Sequence, residues 1–203
     1  MMFVKICGIT RASDAQVAVE CGASAIGFIF WRPAKRWVEP EQARAIVRTL
    51  PPFVTPVGVF VDEAPARINE VAALVGLGAV QLHGDESPEV LARLERPVVK
   101  ATGRIDAETA ARWPTRVVML VDADDPVNHG GTGARADWAA AARLAGQRRT
   151  ILAGGIRPEN VLDAVATVRP FGVDVSSGVE DAPGIKNPDR IRALFEALRA
   201  WRG

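Results

Sequence analysis

No stretch of this 203-residue chain is apolar for long enough to cross a bilayer, and its first residues lack the charged, apolar and small-residue segments of a secretory leader. A cytoplasmic location is therefore expected. Cysteine is scarce: Cys7 and Cys21 are too few for a disulfide framework, and with only two histidines, His83 and His129, their spacing fits no zinc site. Neither a disulfide nor a bound metal is expected. A surplus of one charge is also missing, since 25 Lys and Arg stand scattered among 24 Asp and Glu, which leaves no electrostatic footprint for nucleic acid. What is present is enough for one core, with 48% hydrophobic residues at a length suited to a single domain. The expected partner is a small molecule, with no nucleic acid and no membrane.

The stretch that organises the rest is Val4-Lys5-Ile6-Cys7-Gly8-Ile9-Thr10. An apolar run too short for a helix, with Lys5 and Cys7 two residues apart, reads as a buried strand that points both side chains at the same interior. Gly8 then allows a tight turn, so the thiol falls where strand gives way to loop, the place where parallel α/β proteins keep their chemistry. Taken alone, Cys7 reads better as a small buried hydrophobe, and it is the rest of the chain that reverses this.

A helix over 11–20 follows, stopped at Cys21-Gly22, and the strand-then-helix unit recurs. Strands are expected over 25–30, 56–60, 79–83, 97–101, 116–122, 150–153 and 171–176. Their helices are expected over 40–50 and 64–75, from Ser87-Pro88, and over 106–112, 136–144, 158–168 and 188–201. Eight alternating units imply parallel strands joined by right-handed crossovers and closed into one compact (βα)8 TIM barrel over residues 1–203. A doubly wound open sheet is the alternative, but no G-x-G-x-x-G turn follows the first strand.

In such a barrel the strand ends and the loops after them form the active face. Here they carry Cys7, the Arg32, Lys35 and Arg36 loop, His83, Asp122, Gly154-Gly155 and Ser176-Ser177-Gly178. Glycines after the seventh and eighth strands let backbone N–H groups approach an anion, and a short helix start adds a favourable dipole, so these loops read as a phosphate grip. Gly130-Gly131-Thr132-Gly133 reads as a lid or turn. A thiolate that abstracts a proton from carbon, facing a carboxylic acid that protonates an oxygen, is what an aldose–ketose isomerisation requires. Cys7 would need a thiol pKa lowered by a neighbouring cation or dipole, and Asp122 one raised so that it keeps its proton.

Five segments together resemble one family. They are Lys5-Ile6-Cys7-Gly8-Ile9-Thr10, Val57-Gly58-Val59-Phe60, Val80-Gln81-Leu82-His83-Gly84, Leu152-Ala153-Gly154-Gly155-Ile156 with Pro158-Glu159-Asn160, and Val173-Asp174-Val175-Ser176-Ser177-Gly178-Val179-Glu180. The family is phosphoribosylanthranilate isomerase of tryptophan biosynthesis, and the likeness runs from the first strand to the last. It implies an Amadori rearrangement of N-(5-phosphoribosyl)anthranilate, without cofactor or metal. On the matching positions, Asp122 resembles the general acid, Cys7 the base, Arg36 the residue that holds the anthranilate carboxylate, and Gly155 and Ser177 the phosphate grip, flanked by Gly154, Ser176 and Gly178. Gln81 and His83 share a face and line the pocket. The acidic run Asp122-Ala123-Asp124-Asp125-Pro126 departs from the family's pattern and makes Asp124 the alternative acid.

Two other readings are weighed beside this one. A related imidazole-pathway ribonucleotide isomerase uses paired aspartates, which Cys7 argues against; a non-catalytic phosphate-binding barrel would lack an acid or a base. His129 reads as a loop histidine, Cys21 as a packed or partly exposed thiol, and the five tryptophans as packing, with Trp37 near the expected carboxylate site. The chain reads as a monomer or homodimer. Counting by two also turns Lys5 and Asp174 inward on strands that become neighbours when the barrel closes, so the two are expected to pair.

Overall fold

Each apolar run ends at a loop that turns the chain back over the outside, and the result is a ring. The computed structural model describes residues 2–103, 107–123 and 136–201. The first half comprises β1 (Phe3–Ile6), α1 (Ala12–Cys21), β2 (Ala25–Ile29), α2 (Pro40–Val47), β3 (Thr55–Phe60), α3 (Pro65–Val75), β4 (Ala79–Leu82) and a 3-10 helix (Pro88–Arg93). There follow β5 (Val98–Thr102), α4 (Ala107–Arg112), β6 (Val118–Val121), α5 (Trp138–Ala145), β7 (Thr150–Leu152), α6 (Val161–Val168) and β8 (Gly172–Val175). A one-turn 3-10 helix (Ser177–Val179), the hairpin β9 (Glu180–Ala182) and β10 (Ile185–Lys186), and α7 (Pro188–Ala200) complete the described chain.

Strands β1 to β8 pair in chain order and β8 returns to β1, which makes the (βα)8 barrel and removes the open-sheet alternative. The closing register sets Val4 beside Val173, Lys5 beside Asp174 and Ile6 beside Val175. Alternation along the strands divides the apolar residues in two. Ala101, Leu120, Ile151 and Ala153 cluster inside the ring, while Met119, Val121, Leu152 and Val173 join the larger layer beneath the helices. The helices start and stop where local chemistry supplies partners: Asp137 caps α5 and Asn187 caps α7 through their side chains, and proline opens α2, α3 and α7.

Two features differ from expectation. The helix expected from Ser87-Pro88 is a 3-10 segment with no buried residue. Its apolar side chains Val90 and Leu91, with Leu94 just past its end, reach the core only partly, too short a stripe to hold two α-turns against the barrel. The β9–β10 hairpin was not expected at all. It is clamped to the loop after β1 and to the first turn of α1: Thr10 Oγ1 donates to the Gly184 carbonyl at 2.6 Å, and the Lys186 N–H donates to Asp14 at 3.0 Å. Among the described residues no helix is long and apolar enough to cross a membrane.

Candidate active site

Cys7 follows β1 directly, its N–H bonded to the Val175 carbonyl of β8 at 2.9 Å. Room for its side chain comes from β2, where a β-carbon at Gly27 would lie 2.8 Å from Cys7 Sγ and 2.9 Å from Lys5 Cε. One layer below, the expected pair is present: Lys5 Nζ stands 2.8 Å from Asp174 Oδ2, and it also donates to Gln81 Oε1 at 2.8 Å. All three side chains are buried. Burial alone would depress the Lys5 ammonium, but Asp174 and the Cys7 thiol outweigh it and lift the lysine to about 12.

The same burial acts on Cys7 in the opposite sense to expectation. Desolvation pushes the thiol up from its ordinary value; Lys5 and, more weakly, Lys186 pull it back, and burial wins. The expectation of a lowered thiol pKa is thus corrected, although the cation invoked for it is in place. A higher pKa leaves less thiolate at rest but makes that thiolate a stronger base.

Asp122 stands at the end of β6, and around the ring β7 and β8 separate it from β1. Its N–H bonds the Thr102 carbonyl at 3.1 Å, its Oδ1 accepts from the Ala123 N–H at 2.7 Å, and its Oδ2 lies 3.6 Å from His83 Nε2. His83 Nδ1 is in turn 3.0 Å from Gln81 Nε2. The loop carrying His83 is braced from outside the ring. Lys100 Nζ donates to the Gly84 carbonyl at 2.6 Å and to Glu86 at 2.9 Å, with the Trp113 ring 5.8 Å away. Asp124, His129 and Gly130 to Gly133 lie outside the described residues.

The two glycine loops meet. Gly154 and Gly155 both take positive φ, 73° and 65°, which side chains resist. Asn160 holds the turn, accepting from the Arg157 N–H and donating to the Gly155 carbonyl, each at 2.9 Å. Gly178 lies so close to the Ile156 carbonyl that any β-carbon there would collide with it. The loops after β7 and β8, with Ser176 and Ser177 on the second, therefore form one surface beside Cys7. Ser176 Oγ is 3.1 Å from where a β-carbon of Gly8 would stand.

Arg36 packs over Gly8, and Glu180 holds one edge of its guanidinium. Nε reaches Glu180 Oε1 at 2.9 Å and Oε2 at 3.0 Å, and Nη2 reaches Oε2 at 2.7 Å. Glu180 also accepts from Lys186 Nζ at 2.7 Å and from the Gly184 N–H at 3.2 Å, while Lys186 donates to the Ser176 carbonyl at 3.1 Å. Burial would raise the Glu180 carboxyl, yet the two cations outweigh it and hold it below its ordinary range. Lys186 goes down, because burial and the nearby Arg36 exceed what its share of one carboxylate returns. Sequence reasoning missed both as site residues. Glu180 closed a quoted motif without a role, and Lys186 carried no signal, since a lysine between Ile185 and Asn187 reads as a solvated loop charge.

Trp113 and Trp138 are buried, Trp37 lies under the Arg32 guanidinium at 5.0 Å, and Cys21 is a half-buried free thiol. Among the described residues no three His, Cys, Asp or Glu side chains gather where they would cage a metal.

A family model described as N-(5'phosphoribosyl)anthranilate (PRA) isomerase matches residues 4–197. The N-(5'-phosphoribosyl)anthranilate isomerase of Citrifermentans bemidjiense is 49% identical over 197 residues, 96% of each chain. The solved phosphoribosyl anthranilate isomerase of Thermus thermophilus superposes with a TM-score of 0.91 at 42% identity, covering 99% of this chain and 100% of that one. Another, solved with reduced 1-(o-carboxyphenylamino)-1-deoxyribulose 5-phosphate, gives a TM-score of 0.87 at 42% identity and the same coverage.

Proposed function

The chain belongs to the N-(5'-phosphoribosyl)anthranilate isomerase family, and on that premise we propose that it performs the Amadori rearrangement of N-(5-phosphoribosyl)anthranilate. Asp122 gives its proton to the furanose ring oxygen, the C1'–O bond breaks, and the nitrogen lone pair forms the Schiff base. The Cys7 thiolate then takes the C2' proton; those electrons pass to nitrogen and leave an enolamine. Tautomerisation of the enolamine gives the 1-deoxyribulose ketone. Acid and base here belong to the chain itself, with no cofactor in the reaction.

The observation that carries this reading is the row of polar side chains that runs from Cys7 past Lys5, Gln81 and His83 toward Asp122, set against the joined glycine loops. Gly154, Gly155, Ser176, Ser177 and Gly178 suit the substrate phosphate through backbone N–H groups and hydroxyls. Arg36 suits the anthranilate carboxylate, with Glu180 fixing the plane of its guanidinium. Membership of a biosynthetic isomerase family supports a cytoplasmic location as part of the same proposal.

The test is to generate phosphoribosylanthranilate in situ and follow the loss of its fluorescence. Cys7→Ser and Asp122→Asn should each fold and each lose turnover by on the order of 10²–10⁴-fold, because a hydroxyl is no base near neutral pH and an amide is no acid. A serine variant that kept more than half the activity would return Cys7 to a packing role.

A further inference from the structure

Between the two reacting groups lie side chains to which the rearrangement gives no chemical task. Lys5 Nζ donates to Gln81 Oε1 at 2.8 Å, Gln81 Nε2 stands 3.0 Å from His83 Nδ1, and His83 Nε2 faces Asp122 Oδ2 at 3.6 Å. The chemistry of the first two links allows one polarity only. An ammonium has hydrogens to give and no lone pair, so the Gln81 atom it touches is the oxygen. The other end of that amide is then its NH2, which only donates, so His83 Nδ1 must accept and bears no hydrogen. An imidazolium would set two donors face to face across 3.0 Å. The ring is therefore neutral with its hydrogen on Nε2, the nitrogen turned toward Asp122.

We infer that Lys5 and Gln81 lock His83 as the neutral Nε2–H tautomer, which makes His83 a positioning residue for the Asp122 carboxylate. At 3.6 Å this donor faces the Asp122 carboxyl from just beyond hydrogen-bonding distance. Once Asp122 has delivered its proton, the new negative charge draws the Nε2–H into a charge-assisted hydrogen bond. The row works because Lys5 is cationic: with Asp174 on its other side the ammonium is lifted to about 12, so the polarity of the row does not reverse in the working pH range. The last step of this account rests on reading Asp122 as the acid. The tautomer rests on the hydrogen bonds alone.

The chain has only two histidines, which makes nitrogen NMR of a 15N-histidine-labelled sample decisive, with a His129→Gln variant assigning the second ring. In the wild-type enzyme at neutral pH, His83 should give the Nε2–H pattern; the Nδ1–H pattern, or an imidazolium, overturns the inference. Gln81→Glu replaces the donor with an acceptor and should switch the ring to Nδ1–H. It should lower kcat about tenfold, less than loss of the acid itself, with KM little changed. A switched tautomer with unchanged kcat removes the positioning role. Should Gln81→Glu fail to fold, Gln81→Met deletes the amide donor and offers the same two readouts. A wild-type enzyme without isomerase activity would count against the proposed reaction and leave the tautomer measurement standing.

Discussion

Two buried ionic clusters touch the surroundings of Cys7, one below it and one beside it, and they are built by different means. The lower one lies within the strands: Lys5 of β1, Asp174 of β8 and Gln81 of β4, held by ring closure and the two-residue alternation of side chains. The lateral one lies in the loops: Arg36 after β2, Glu180 and Lys186 on the hairpin, with two cations sharing one carboxylate. The sharing shows in their charges. Lys5 has a carboxylate and an amide oxygen to itself and is pushed up to about 12, whereas Lys186 is pulled down. The strand cluster therefore supplies a permanent charge beneath the thiol, and the loop cluster supplies position, fastening Arg36 and the Ser176 carbonyl to one hairpin.

The largest effect expected from breaking this arrangement is at Lys5. Lys5→Met strands a buried Asp174 and should cost about 3–5 kcal/mol in chemical unfolding, while Lys5→Met with Asp174→Leu should recover most of that loss. In the single variant the pH midpoint for alkylation of Cys7, in a Cys21→Ser background, should move further above 9.0, because the nearest cation has gone. A loss under about 1 kcal/mol would mean that water reaches the pair, as it does at surface ion pairs.

Glu180→Gln comes next, at about 3 kcal/mol, since Arg36 and Lys186 are left facing each other. Here pH separates the clusters. The Glu180 carboxyl is held below its ordinary 4.5, so its contribution is whole above that value and drains away as pH falls through the depressed one. Lys5 is raised from 10.5 to about 12, so its contribution is whole below 10.5 and is lost as pH rises through about 12. Stability curves should accordingly lose their acid-side slope in Glu180→Gln and their alkaline-side slope in Lys5→Met. The same slope lost by both variants would merge the two clusters into one.

The contrast also marks what could be read from sequence. Alternation and ring closure are properties of order along the chain, so the barrel, the inward Lys5 and its meeting with Asp174 were legible, as were the glycine loops after β7 and β8. The hairpin was not. Its strands are three and two residues long, too short to show a period, and they are held by Thr10 and Asp14 from the far end of the chain. The shared face of Gln81 and His83 could be read from their spacing, but the direction of the hydrogen bond between them is set by Lys5 on another strand. The direction of the Cys7 shift was misread for a related reason: a neighbouring cation is visible in a strand pattern, and the depth of burial that outweighs it is not.

The smallest effect should come from Lys186→Met, and its smallness is informative. Glu180 keeps the Arg36 contacts at 2.7–3.0 Å, so no carboxylate is stranded, and methionine fills most of the lysine's volume. Burial already disfavours the Lys186 ammonium, so removing it spares a desolvation cost. The net stability change should be about 1 kcal/mol or less. Lys186 acts on Cys7 through space and ranks below Lys5, which acts by charge and by a hydrogen bond as well. The alkylation midpoint should therefore rise by less than in Lys5→Met, while KM rises through loosening of the loop that carries Ser176. A thiol shift larger than that of Lys5→Met would transfer control of the base from the strand cluster to the hairpin.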